Sequence, residues 1–265
     1  MTKAMPYDTL LYSVENAVAT LTLNRPQTLN AFNDVMIREA TEAFKQAARD
    51  ASVRAIVLTG AGRGFSSGQD LADTQSRGEG FSIAEHLRQG YHRLIKQMIK
   101  TEKPILGAIN GVAAGAGCGV ALACDFRVAS EKASFMLAFS RIGLIPDSGL
   151  NWMLPRLIGY ARAYRMALTA EKVPAATALE WGLVNAVAPE AEFAATVQGW
   201  ATQFASGATR AFGLTKRGMY RSFDMDLDEA LDYEAHLQDI AARSDDFKEG
   251  VRAFLEKRPA QFKGQ

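Results

Sequence analysis

Residues 104–125 constrain this chain more than any other stretch. An apolar run of strand length, Ile105 to Ile109, passes into a turn with glycine at 111, 115, 117 and 119. The helix-compatible Val120-Ala121-Leu122-Ala123 follows. A strand that ends in small residues and feeds a helix aims backbone N–H groups outward. The first N–H groups of a helix have no internal partner, and the positive end of its dipole lies there. Two readings stay open from these residues: a seat for an anion, or a tight strand–helix junction that needs small residues for close packing. The spacing is not the dinucleotide pattern G-x-G-x-x-G, and no Lys-Ser/Thr follows as in a P-loop.

A second stretch repeats the pattern. Ile56-Val57-Leu58-Thr59 reads as a buried strand, and small residues crowd positions 60–68 just after it. Two such turns can each give one N–H to a single oxygen, which makes a two-donor oxyanion hole. Residues 65–71, Phe-Ser-Ser-Gly-Gln-Asp-Leu, resemble the F-x-x-G-x-D-[LI] motif of the crotonase (enoyl-CoA hydratase/isomerase) superfamily. Residues 110–125 resemble its N-G-x-x-x-G-G-G-x-x-x-A-x-x-x-D motif, and the likeness runs from Leu21-Thr22-Leu23 to Glu256-Lys257-Arg258.

Composition sets the outer bounds. The chain has 265 residues, 48% hydrophobic and 22% charged, which suits one large core with or without an appendage. A net charge of +1 calls for neither nucleic acid nor an anionic membrane. Cys118 and Cys124 sit six apart in apolar sequence, fitting buried free thiols better than a metal pair or a disulfide framework. Residues 1–6 carry no apolar leader and no stretch reaches membrane-spanning length, so a cytoplasmic protein is expected.

Periodicity orders the rest. Residues 10–14 and 18–23 read as a hairpin around Glu15-Asn16. Asn33 reads as the N-cap of a helix carrying Met36, Ala40, Ala43, Phe44 and Ala47, and 55–59 as a strand. Residues 72–82 read as a polar, mobile loop, and 83–102 as one helix with Leu87, Tyr91, Leu94, Ile95 and Met98 on one face. Short strands are expected at 126–129 and 134–137. Helices are expected at 148–158 and 161–169, and another that starts at Pro174 and stops near Gly182. Beyond Pro189 only helices are read, at 190–206, 208–222, 226–242 and 244–257.

The resemblance implies an α/β fold: a ββα spiral core over 1–200 holding an acyl-CoA site, and a helical region over 201–265 that builds a homotrimer or a dimer of trimers. It implies that the peptide N–H groups of Gln69 and Ala116 hold the thioester oxygen. By the same motifs Ala31, Ser67, Gly68, Asp70, Leu71, Gly115 and Phe139 line the path of the substrate, whose coenzyme A is the only cofactor-like part; no metal is implied. Because only the N–H of Gln69 is used, its side chain is expected to matter little. Asp70 fits a helix cap as well as a ligand contact.

Hydratases of the family use two glutamates. The matching positions here hold Gly119 and Phe139, neither of which accepts a proton. Asp147, in Ile145-Pro146-Asp147-Ser148-Gly149, reads from its own residues as an N-cap or Asx-turn aspartate. However, residues 138–149, 29–34 and 67–71 resemble the phenylacetate-pathway epoxyphenylacetyl-CoA isomerases, in which the matching aspartate is the acid/base. That implies an acyl-CoA isomerase with Asp147 moving the proton. The alternatives are an enoyl-CoA hydratase, a CoA-ester binding protein without turnover, and an acyl-CoA dehalogenase or thioesterase using His92. Leu150 and Asn151 depart from the isomerases' pattern, which leaves the acyl group open. Asp125 is expected to anchor the core by hydrogen bonds.

Overall fold

The computed structural model describes residues 7–75 and 80–265. The first sixty residues follow the expected β-β-α-β order. Strands β1 (Leu10–Glu15) and β2 (Val18–Leu23) form an antiparallel hairpin whose two-residue turn, Asn16-Ala17, has both φ angles positive. Asn33 caps α1 (Asp34–Arg49) by accepting the Met36 N–H at 2.9 Å, and the helix buries the expected apolar face.

From there the chain winds as a spiral. Strand β3 (Ala55–Gly60) enters one sheet and β4 (Gly64–Ser66) a second one, before α2 (Leu71–Gln75), α3 (Ile83–Gln89) and α4 (Tyr91–Lys100). The next turn repeats this with β5 (Ile105–Ile109), β6 (Val112–Ala114) and α5 (Ala116–Leu122). A third has β7 (Phe126–Ser130), β8 (Ser134–Met136), α6 (Leu150–Ile158) and α7 (Tyr160–Thr169). After β9 (Val173–Pro174) and α8 (Ala175–Glu180), β10 (Ala186–Ala188) closes the larger sheet. That sheet has the order β1-β2-β3-β5-β7-β10, parallel except at β1–β2; the smaller has β4-β6-β8-β9. Strands β3 and β5 are buried almost throughout and read as apolar runs, as parallel strands covered on both faces must.

Four helices complete the described chain: α9 (Glu190–Ser206), α10 (Thr209–Ser222), α11 (Leu227–Ala242) and α12 (Asp245–Leu255). Helix α9, within which residue 200 falls, packs Ala201 and Ala205 against Val57, Leu106 and Val128 of the large sheet. Cys118 and Cys124 are free and fully buried, and burial pushes both thiols up to about 12, so they stay protonated and inert. No helix of the described residues is long and apolar enough to cross a membrane.

Three expectations are corrected. Residues 83–102 form two helices, not one, because the backbone breaks at Gly90 (φ −102°, ψ −97°). The expected loop 72–82 is partly helical, since α2 runs to Gln75; residues 76–79, like residues 1–6, lie outside the described residues. The helix expected from 148 starts at Leu150, with Ser148 and Gly149 in left-handed turns before it.

Asp125 anchors as expected. Its carboxylate accepts the Ile105 N–H at 2.8 Å and pairs with Lys216 of α10 at 2.9 Å, while Lys216 also donates to the Met98 carbonyl at the end of α4. Burial raises the pKa of Asp125, and Lys216 opposes that rise. Lys216→Met is therefore expected to destabilise the fold by about 3 kcal/mol, the low end for stripping the partner from a buried charge. Chemical denaturation measures it, and an unchanged midpoint would contradict it.

Candidate active site

The two small-residue turns meet. Residues 64–69 run between two neighbours: β6 lies on one edge, with Gly64 opposite Val112 and Ser66 opposite Ala113. Residues 29–32 lie on the other, where Leu29 O accepts from Ser67 N at 2.9 Å. Phe32 then bridges across Gln69, donating to Gly68 O at 2.7 Å and accepting from Asp70 N at 2.8 Å. Backbone groups of an extended chain alternate between its two edges. With Gly68 O and Asp70 N both facing Phe32, the N–H of Gln69 points to the opposite edge, toward the continuation of β6.

That continuation is Gly115 and the start of α5. Ala116 is the first residue of the helix, so its N–H has no acceptor inside it. The turns are in van der Waals contact: a β-carbon on Gly68 would lie 2.8 Å from Ala114 O and 3.4 Å from Ala116 N. Gly68 also has φ +98°, so no side chain is admissible there. The N–H groups of Gln69 and Ala116 thus border one gap at the positive end of α5. Phe139, buried, places its ring tip 4.0 Å from where a Gly115 β-carbon would stand, and so closes that gap on one side.

Ser148, the residue after Asp147, packs on the middle of α5 at Gly119, the fourth of its seven residues. Ala116 and Gly119 are three apart, hence on one face and about 4.5 Å along the axis. A β-carbon on Gly119 would stand 2.7 Å from Ser148 Cβ and 2.8 Å from Ser148 O. The Asp147–Ser148 turn therefore occupies the space that a side chain at 119 would need. Gly119→Ala is expected to lower turnover at least tenfold by displacing Asp147, with the overpacking costing about 1–3 kcal/mol of stability. Steady-state kinetics beside a thermal melt check both; unchanged turnover would contradict it.

The aspartate does not serve as a helix cap. Gly149 is the N-cap of α6 and no side chain caps it; the Asp147 Oδ1 instead accepts from Ser148 Oγ at 2.8 Å. Ser148 is fully buried at φ +51°, a strained conformation for serine that its packing on α5 holds in place. Burial raises the Asp147 pKa above its ordinary value; the Ser148 hydrogen bond and the charge of His92 on α4 act the other way. A half-buried carboxyl with raised proton affinity is suited to accept and return a proton.

The other expected residues are distributed along the two turns. Ala31 is buried and its carbonyl accepts from Arg25 at 2.7 Å; Ser67, exposed, donates from Oγ to Thr28 O at 3.0 Å; Leu71 is exposed at the start of α2. Asp70 makes contacts of the capping kind: Oδ2 pairs with Arg25 at 2.9 Å and Oδ1 accepts from Asp73 N at 3.4 Å. Burial works to raise its pKa, but the Arg25 hydrogen bond and the helix N–H groups outweigh it and hold the carboxyl below the usual range. Sequence reasoning missed Arg25 and Ser148 as supports of the site. It also missed the partners of Gln69, whose Oε1 accepts from Tyr91 Oη at 2.7 Å and lies 3.4 Å from His86 Nε2. An apolar cavity of about 420 Å³, lined by Trp152, Phe212, Met219 and Tyr220, opens near Leu122 at the other end of α5.

This arrangement matches known proteins across nearly its whole length. Residues 13–265 fit the family model described as enoyl-CoA hydratase/isomerase. A 1,2-epoxyphenylacetyl-CoA isomerase of Escherichia coli K12 is 43% identical over 258 residues, covering 97% of this chain and 98% of the relative. A probable enoyl-CoA hydratase of Rhodobacter capsulatus is 44% identical over 261 residues, covering 98% and 100%. Among solved structures, a putative enoyl-CoA hydratase/isomerase from Mycobacterium abscessus superposes with a TM-score of 0.91 at 37% identity, covering 97% of this chain and 100% of the other. Spiral, paired turns and sequence agree: the chain is an enzyme of the enoyl-CoA hydratase/isomerase family, with the crotonase α/β fold.

Proposed function

We propose that this enzyme is an acyl-CoA isomerase working with one acid/base, Asp147. The substrate is an enoyl- or arylacetyl-CoA thioester, and coenzyme A enters as part of it, with no further cofactor or metal. The N–H groups of Gln69 and Ala116 receive the thioester oxygen. Asp147 takes a proton from the activated carbon, the two N–H groups hold the enolate or dienolate, and the proton returns elsewhere on the acyl group. A double-bond shift and the rearrangement of a ring epoxide both follow this course. One positioned donor lowers such a barrier by about 3–4 kcal/mol, so the pair supplies much of what the reaction needs.

The observation that carries this reading is Ser148 seated against Gly119. It takes the space that a side chain at the first hydratase glutamate position would need, and Asp147 is the residue before it. With Phe139 at the second glutamate position, no carboxylate is left in the motif to activate water. The hydratase reading draws on the Rhodobacter relative. Incubation with a 3-enoyl-CoA in deuterated water separates them: bond migration with deuterium uptake is the expected result. Net addition of water would make the enzyme a hydratase, and binding without exchange would make it a non-catalytic CoA-ester binder.

We also propose that the enzyme works as a homotrimer or a dimer of trimers in the cytoplasm, without nucleic acid or membrane. The C-terminal region leaves Met219, Phe223, Leu227, Phe254 and Leu255 exposed, apolar side chains that a partner subunit would cover. Sedimentation of the purified enzyme tests this; a monomer at micromolar concentration would reject it.

A further inference from the structure

We propose that Tyr91 is a positioning residue for the oxyanion hole: through the side chain of Gln69, it sets the direction of the Gln69 N–H. This rests on the reading of that N–H as an oxyanion donor. The bridge to Phe32 holds residues 68–70 along one edge, and the side chain of Gln69 is a second hold on the same residue. In extended backbone the side chain stands roughly perpendicular to the N–H, so it is a lever on the direction of that N–H. The Gln69 lever is held: its Oε1 accepts from Tyr91 Oη at 2.7 Å and faces His86 Nε2 at 3.4 Å.

The hold is rigid because its donors are. Tyr91 is 2% exposed, and its ring meets the fully buried Phe32 edge-on, with centroids 5.8 Å apart. Phe32 is the residue that bridges Gln69, so backbone and side chain of residue 69 are referred to one packed unit. On its other side Tyr91 meets His86 at 5.8 Å, and His86 Nδ1 lies 3.3 Å from Asp34 of α1.

The helix break at Gly90 builds this constellation. In one continuous helix residues 86 and 91 would point about 140° apart. The break turns α3 back so that both rings meet over Gln69. A β-carbon at residue 90 would stand 2.8 Å from His86 O, which keeps this corner glycine. On this proposal the glutamine is more than a carrier of its N–H, where the sequence reading expects its side chain to matter little.

The experiment uses full-length enzyme and cinnamoyl-CoA, whose conjugated thioester absorbs further to the red when its carbonyl is polarised. The wild-type complex is expected to show the red shift. Tyr91→Phe keeps the ring and loses the hydroxyl; it is expected to lose at least half of the shift while Kd changes less than threefold. Turnover of a 3-enoyl-CoA is expected to fall about tenfold in kcat with KM unchanged, a split that general destabilisation does not produce. Gln69→Met keeps length and loses the acceptor, and is expected to lose as much. The double variant should lose no more than either, because the two act through one contact. A full shift in Tyr91→Phe, or additive losses in the double variant, would overturn the proposal. If Tyr91→Phe does not fold, Gln69→Met alone decides it by the same shift. A wild-type complex without any shift would instead overturn the oxyanion reading, and the proposal with it.

Discussion

Asp147→Asn is expected to lower turnover by about 10²–10⁴-fold, the range for one positioned acid/base group, while the CoA thioester still binds. Asparagine keeps the shape and can still accept from Ser148 Oγ, so the turn that packs on Gly119 has no reason to move. What it lacks is a site for the proton. Calorimetric titration with a CoA ester and single-turnover kinetics separate the two effects. Turnover within tenfold of wild type would remove Asp147 from the mechanism.

The same substitution carries a pH signature. Burial raises the Asp147 pKa, so wild-type turnover should rise with pH through a midpoint above the ordinary aspartate value of 3.8. Stability moves the other way. A carboxyl whose folded pKa exceeds its unfolded one favours folding most when protonated, below the unfolded pKa, and loses that contribution as pH rises through the folded value. The Asn variant never carries the charge. Around neutral pH it should therefore melt at or above the wild-type temperature, and the two curves should converge below pH 3.8. A variant clearly less stable than wild type at neutral pH would mean that the carboxylate is structural. Gain in stability with loss of activity marks a group kept for chemistry.

Much of this was legible in the sequence because it depends on local length and period. The run from Ile105 into the glycines could only be a strand meeting a helix. The alternation of Met36, Ala40, Ala43, Phe44 and Ala47 could only suit one buried helical face. The family motifs pointed to the N–H groups of Gln69 and Ala116, and glycine at 119 directed the reading toward Asp147. What stayed hidden depends on contacts between distant residues or on backbone twists that leave no pattern. Strand β6 has three residues, too few for a period to register. The apolar spacing of Leu87, Tyr91 and Leu94 runs straight across Gly90, so the break there is invisible to periodicity. Serine at φ +51° has no sequence signal, because packing against α5 imposes that conformation. The partners of Gln69 and Asp70 lie 22 and 45 positions away, and only the fold brings them together.

Ala116→Pro is expected to cost about 10²–10³ in turnover, the measured scale for removing one oxyanion donor. Proline usually disrupts a helix, but here the fold accepts it. Ala116 is the first helical residue, where the N–H is unused within the helix and the fixed φ of proline suits the start. The residue before a proline must be extended, and Gly115 sits at φ +51°, ψ −127°. That is the mirror image of a polyproline conformation, and for achiral glycine the two are equivalent. The substitution therefore leaves the helix start in place and replaces one N–H by a ring methylene that faces the same gap. Circular dichroism should be unchanged, and CoA-ester binding should weaken far less than turnover. The red shift of bound cinnamoyl-CoA should shrink, because one donor remains at Gln69. If turnover survived within threefold in a folded variant, the carbonyl would not lie at the start of α5. Asp147 would then be facing the wrong end of its substrate.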